Sequence, residues 1–215
     1  VLLGGVSNSN KLAALGGLGG AALAWGCGPW LQRLLAGLLL AGVLAAPLLP
    51  TTVLAPARLA HLFDAAHYSG LHRLHIWHFT AQRIAEAPVL GWGLDAARRI
   101  PGGQTPLPGG GIMMGLHPHN ASLQVWLELG GVGAVFWALL LAGLWLAAGK
   151  LPDRAARAAA TGLLLAGLIV AHLSFGIWQT WWLAALAQAG VLFALAVRLR
   201  PATAQGEPEN VVAQK

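Results

Sequence analysis

No Asp, Glu, Lys or Arg occurs anywhere in residues 158–197. A helix needs roughly 20 apolar residues to cross about 30 Å of hydrocarbon, so a forty-residue run of this kind predicts two membrane-spanning helices joined by a tight turn. The remaining apolar residues also come in long blocks, not in an alternating or amphipathic pattern. Only 9% of the chain is charged, against about 25% in a soluble domain, so much of its surface does not face water. The expected fold is all-α: a polytopic transmembrane helix bundle of about five spans with one long external loop.

The first span is expected over residues 12–28. Its Gly16, Gly17, Gly19 and Gly20 would let a neighbouring helix approach closely in lipid. The second is expected over residues 34–54, ending where Pro47 and Pro50 interrupt it. The third covers residues 122–148. The fourth and fifth share the uncharged run, with their turn near residues 176–182. Four segments result: 1–54 with two transmembrane helices, 55–121 as a periplasmic loop, 122–200 with three transmembrane helices, and 201–215 as a polar, disordered cytoplasmic tail. The chain opens on apolar residues, with no initiator Met and no basic stretch leading to a cleavage site. It therefore reads as part of a longer membrane protein and not as one that starts with a signal peptide.

Charge sets the expected orientation. Arg33 lies between the first two spans, Lys150, Arg154 and Arg157 between the third and fourth, and Arg198 and Arg200 after the fifth. All fall on one side, which the positive-inside rule makes cytoplasmic. Trp178, Trp181 and Trp182 then sit at the opposite interface, where aromatic residues collect. The net charge of +6 is scattered, without a basic stripe or aromatic platform, so it fits lipid headgroups and not nucleic acid.

Within the loop, Leu74, Trp77, Ala81, Ile84 and Ala85 recur at helical spacing, which predicts a helix over residues 68–87 stopped by Pro88. It would lie on the membrane surface or roof a cavity. Residues 102–115, rich in Gly and Pro, are expected to be a mobile loop and a lid over a site.

The sharpest constellation is His117-Pro118-His119-Asn120, directly before the third span. Asn120 can cap the following helix, and Pro118 stiffens the approach. Two imidazoles at a membrane boundary are harder to explain by capping, because His takes and passes protons near neutral pH. Gly130, Gly131 and Gly133 follow inside the span, where they serve close packing, a bend that tips His119 into a cavity, or both. Glu128, near the outer end of that span, is either a functional carboxylate or a partly solvated one. Arg73 and Arg83 lie on the loop helix but point about 80° apart. A guanidinium forks onto phosphate oxygens, so external arginines beside a bilayer suit a lipid-linked phosphate, and headgroup contact is the plainer role for Arg83, Arg98 and Arg99. His72, His75 and His78 step by three, yet no Cys or carboxylate completes a ligand set, and no metal or other cofactor is expected. His172, alone in a span, reads as hydrogen-bonded between helices.

The string His119-Asn120, nine residues, Gly130, two residues, Gly133 resembles the signature of bacterial O-antigen ligases. The segment RLHIWHFTAQRIAEAPVLGWGLDAAR, with Arg73, Trp77 and a P-x-x-G-x-G at residues 88–93, resembles the loop of the wider O-antigen ligase and polymerase superfamily. The resemblance covers residues 71–133. It implies a glycosyltransferase C-like helical bundle in the bacterial inner membrane, with its active site facing the periplasm. The implied reaction is metal-independent glycosyl transfer from an undecaprenyl-diphosphate-linked oligosaccharide donor to a hydroxyl of lipid A-core, a glycan or a protein. His119 is the implied general base and Arg73 the stabiliser of the leaving diphosphate, with His117, Asn120 and Arg83 as substrate-binding candidates. Ligases continue with a Thr-Gly pair where this chain has Ala134-Val135, which keeps polymerase and protein O-oligosaccharyltransferase open. Members also carry Ser-Arg-Gly near the start of an earlier span. Asn8-Ser9-Asn10-Lys11 stands there, so Lys11 is a further substrate-binding candidate, keeping the charge without the guanidinium fork.

A transporter is the main alternative of another class. It calls for polar groups at mid-span, and the predicted spans offer little beyond His172. A non-catalytic membrane subunit is the third reading; it predicts that substitution at His119 is tolerated.

Overall fold

The computed structural model describes residues 8–63, 68–107 and 110–199. Among them, seven α-helices follow one another: α1 (Asn8–Gly26), α2 (Trp30–Ala45), α3 (Pro56–Leu59), α4 (Tyr68–Glu86), α5 (Ala121–Gly149), α6 (Arg154–Leu173) and α7 (Thr180–Arg198). A lone antiparallel bridge joins Pro106 and Ile112. The protein is a polytopic helical membrane protein. Four helical stretches are long and apolar enough to cross a bilayer: Trp30–Leu48, Ala121–Gly149, Arg154–Leu173 and Thr180–Arg198.

The first expected span, α1, falls outside that set because its first turn is Asn8-Ser9-Asn10-Lys11. It nevertheless runs antiparallel along the whole of α6. Ser9 Oγ donates to Leu173 O at one end, and Arg154 Nε donates to Trp25 O at the other. The buried residues of α1, Ser9, Ala13, Gly17, Gly20 and Ala24, form one stripe of small side chains. At the crossing, a Cβ on Gly17 would lie 2.9 Å from Gly162 O, and one on Gly162 would lie 2.8 Å from Gly17 O. This is the backbone-to-backbone approach that a glycine-rich span permits in lipid.

α2 packs antiparallel on α5. The indole of Trp126 donates to Val43 O at 2.8 Å, and Gly149 faces the side chain of Gln32. Gln32 is buried, and its Nε2 donates to Thr161 Oγ1 at 3.1 Å, so a polar link joins α2 to α6. α2 ends earlier than the expected residue 54. Pro47 lacks the N–H that an α-helix would need there, and the chain tightens into a 3₁₀ turn over Ala46–Leu48. α7 lies at the edge, with Trp182 its one buried side chain.

These pairings place Arg33, Lys150, Arg154 and Arg157 at one end of the bundle and the described part of residues 49–120 at the other. There α4 docks on the first turns of α5: Ile76, Phe79 and Ile84 pack with Met114, Leu123, Leu127 and Ile100. Residues 102–107 and 110–115, expected from their glycines and prolines to be a mobile loop, carry main-chain hydrogen bonds of their own. Met113 N donates to Thr105 O at 2.9 Å and Met114 N to Gly103 O at 2.7 Å, making a hairpin-like turn. Its Met114 is fully buried, which anchors the turn beneath α4. The tail over residues 201–215 lies outside the described residues.

α5 breaks once. Gly130 has φ 62° and ψ −162°, a conformation essentially confined to glycine. The break frees main-chain groups, and residues 88–93 supply their partners. Gly131 N donates to Pro88 O at 2.8 Å and Val132 N to Val89 O at 3.2 Å. In return, Trp92 N donates to Leu127 O and Gly93 N to Glu128 O, both at 2.9 Å. The P-x-x-G-x-G stretch and the glycines of α5 are thus two halves of one clasp. Gly91, with φ 71°, is its other indispensable glycine: a Cβ there would sit 2.5 Å from the carbonyl carbon of Glu128.

Candidate active site on the loop side of the bundle

Asn120 caps α5. Its Oδ1 accepts from Leu123 N at 3.1 Å, satisfying a main-chain donor that the helix start leaves free. The indole of Trp77 donates to Pro118 O at 2.8 Å, tying the motif to α4. Between them, His119 adopts φ 53°, a left-handed conformation for a residue with a side chain. Its main-chain N–H donates to His117 Nδ1 at 3.2 Å, and the two rings meet edge to face with centroids 4.3 Å apart.

The two imidazoles have opposite assignments. His119 Nδ1 lies 2.6 Å from Ser174 O. A carbonyl only accepts, so Nδ1 carries the proton and Nε2 is left as a base. His117 Nδ1 accepts from a main-chain N–H, so in the neutral ring Nε2 carries the proton and donates. Burial lowers the His119 pKa below its usual value; the Ser174 carbonyl offsets part of this, and the charges of Arg73 and His72 push it down again. His117 is pushed down to about 4, first by burial and then by His119 and Arg98. It stays uncharged across the physiological range.

That depression has a measurable consequence. The unfolded state binds a proton near pH 6.5 and the folded state only near 4, so the unfolded chain holds more protons in between. Stability is therefore full above pH 6.5 and is lost as pH falls toward 4. The loss amounts to at most about 3 kcal/mol. His117→Gln should flatten the drop in thermal midpoint between pH 6.5 and 4.5 relative to the unaltered protein. A drop of unchanged size would show that His117 is not its source.

Arg73 lies on α4, with Nη1 donating to Ser69 Oγ at 3.3 Å. Its Nε is buried and has no hydrogen-bond partner among the described residues, as is also true of Arg83 Nε. Arg83 is not part of this cluster. It is about 15 Å further along the helix, pairs with Glu86 at 2.9 Å and stacks over Phe79. Lys11 is on the same end of the bundle as His119, since the start of α1 lies beside the end of α6. The three histidines of α4 do not converge. His72 Nε2 donates to Ile112 O and His78 Nδ1 to Pro50 O, each at 2.9 Å. Among the described residues, no group of three or more His, Cys, Asp or Glu is arranged to hold a metal.

A cavity of about 500 Å³ opens between α2, α5 and α6. Leucines of all three helices line it, and Trp77, Asn120, Ser122 and His172 form its polar end. His172 bridges helices, as its lone position in a span suggests: Nδ1 donates to Leu168 O at 2.9 Å and Nε2 accepts from Ser122 Oγ at 2.8 Å. The cavity thus runs from the apolar interior to within one residue of His119.

Several contributors carry no motif. Ser174 acts through its carbonyl. Arg98 reaches His117 with its charge, although it is paired to Asp95 at 2.8 Å. Glu128, flagged as ionisable, is fully buried and accepts from Asp95 N, Ala97 N, Gln124 Nε2 and the Trp178 indole.

A protein of Rickettsia conorii named "Putative polysaccharide ligase" is 32% identical over 181 residues, covering 79% of this chain and 42% of the relative. Its counterpart in Rickettsia prowazekii is 33% identical over 139 residues, covering 60% of this chain and 33% of the relative. The chain thus spans well under half the length of these relatives. No solved structure matches. The model of the family described as O-antigen ligase matches residues 1–138, which take in both halves of the clasp and both imidazoles. The chain belongs to the O-antigen ligase family.

Proposed function

We propose that this chain carries the transfer centre of a membrane polysaccharide ligase that moves a glycan from a polyprenyl diphosphate to a hydroxyl acceptor. The observation that carries this reading is His119, its Nδ1 held by the Ser174 carbonyl so that Nε2 is unprotonated, under the charge of Arg73 and next in the chain to Asn120 of the apolar cavity. The relatives named as polysaccharide ligases support it. In this reading the centre faces the periplasm from the inner membrane. The basic ends of α2 and α6 then face the cytoplasm.

The step balances without a metal. The acceptor oxygen attacks the anomeric carbon and gives its proton to His119 Nε2, while the bond from that carbon to the diphosphate breaks. Negative charge grows on the leaving diphosphate, where Arg73 stabilises it. His117, held neutral, offers Nε2–H as a further donor. The hydrocarbon of the donor lipid lies against the leucines of the cavity. The acceptor in a ligase is lipid A-core.

Arg73→Ala tests the assignment in the full-length protein. Removing one donor aimed at developing charge costs about 10²–10³-fold in rate. Transfer should fall by that order while the protein still accumulates in the membrane, with Arg73→Lys recovering only part of it. Near-normal transfer by Arg73→Ala would remove this arginine from the mechanism. Ala134-Val135, in place of the ligase Thr-Gly pair, keeps polymerase as the second reading. Lipopolysaccharide from a deletion strain separates the two: loss of all capped chains means ligase, and a single-repeat cap means polymerase.

A further inference from the structure

The turn between α6 and α7 is the backstop for both imidazoles. Its Ser174 carbonyl takes the Nδ1–H of His119. A Cβ on Gly176 would lie 3.0 Å from the ring of His117, so the main chain of the turn rests directly on that ring. The turn is gripped from α5. Ile177 N donates to Gln124 Oε1 at 3.0 Å, and the Trp178 indole donates to the Glu128 carboxylate. Gln124 Nε2 in turn donates to Glu128 Oε1 at 3.2 Å. Both ends of the Gln124 amide are therefore committed, and a flipped amide would aim its NH₂ at another donor. Glu128 accepts through both oxygens, so an amide at position 128 would likewise set donor against donor on one side.

We propose that Gln124 and Glu128 are positioning residues for His119: they hold the 174–178 turn so that the Ser174 carbonyl keeps the imidazole protonated at Nδ1 and open at Nε2. This deepens the reading of His119 as general base. A neutral imidazole without that acceptor places its proton on either nitrogen, and the form protonated at Nε2 cannot take a proton from an acceptor hydroxyl. The charged and titratable groups facing His119 are Arg73 and His72 of α4 and His117 beside it. The α6–α7 turn contributes the uncharged Ser174 carbonyl, which supports the protonated ring.

The test uses Gln124→Met and Glu128→Gln in the full-length protein in lipid nanodiscs. Nitrogen-15 spectra of labelled histidines, with His119→Gln to assign the signal, read the tautomer without requiring turnover. The unaltered protein should show a single neutral form with the proton on Nδ1. Both variants should show a mixture and a titration moved to lower pH, because the carbonyl that favours imidazolium is displaced. The base works unprotonated, so the acidic limb of kcat/KM should move to lower pH as well. kcat should fall on the order of tenfold to a hundredfold, as for other partners that orient a functional imidazole, with KM little changed. If Glu128→Gln does not accumulate, Gln124→Met decides alone, since it removes one amide at nearly constant volume. An unmoved titration and a single Nδ1–H form in the variant would overturn the proposal. Transfer that survives in His119→Ala, beside the expected tautomer shifts, would instead overturn the base assignment and leave the positioning intact.

Discussion

His119→Ala in the full-length protein should lose glycan transfer by about 10²–10⁴-fold, the range that a positioned general base supplies. The side chain makes its Ser174 hydrogen bond and its contact with His117 at the loop end of the bundle, away from the helix seams, so the variant should still accumulate. Backbone conformation complicates the comparison, because the left-handed φ of 53° is harder for Ala than for Gly. His119→Gly is therefore the companion variant: it removes the imidazole and relaxes the backbone. Equal loss of transfer in both, at normal abundance, places the loss in chemistry. Transfer by either variant within a few-fold of normal would remove the imidazole from the mechanism. The measurement is transfer of a labelled lipid-linked glycan, set against protein abundance in the same membranes.

Gly130→Ala should have the largest effect on stability. The conformation of Gly130 is one that residues with a Cβ avoid. An added Cβ would also overlap the Val89 carbonyl and lie 2.6 Å from Gly91 N, both main-chain groups that cannot swing away. Relieving the overlap means opening the clasp and stranding four main-chain hydrogen bonds. A cost above about 4 kcal/mol follows, in the class of substitutions that strain a special backbone site. The variant should be largely degraded in cells, or melt far below the unaltered protein in detergent. Gly143→Ala, also on α5, is the control: its Cβ would meet nothing within 4 Å, and it should be close to neutral. Equal behaviour of the two variants would show that the break in α5 is dispensable.

The bundle was legible because lipid imposes a coarse rule, which is that each span must be long, apolar and helical. The uncharged run, the terminal charges and Pro88 place α4 and α5 within a residue or two, and α6 and α7 within about one helical turn. The seam between α1 and α6 was half legible. The glycines of α1 announce a close neighbour but cannot say which helix it is. Residues 102–107 and 110–115 showed in the sequence only as Gly- and Pro-rich, because Gly and Pro mark turns whether or not the turn is packed, and the burial of Met114 depends on α4 arriving above it. At the site, His117, His119 and Arg73 were visible as residue types at a membrane boundary. Arg83 was only a supporting candidate in the sequence, and its ion pair with Glu86 and its place over Phe79 were not visible there. What sequence hides most completely is a carbonyl: Ser174 orients His119 with an atom that every residue has.

The clasp between residues 88–93 and α5 has an evolutionary corollary. All four of its hydrogen bonds run between main-chain atoms, while the side chains of Val89 and Leu90 point outward, 63% and 73% exposed. Selection therefore has little to grip at those two positions and a great deal at Gly91 and Gly130. Such a junction can drift in composition over long divergence while its spacing stays frozen, so distant members of the lineage would share a rhythm of glycines more than a vocabulary of side chains.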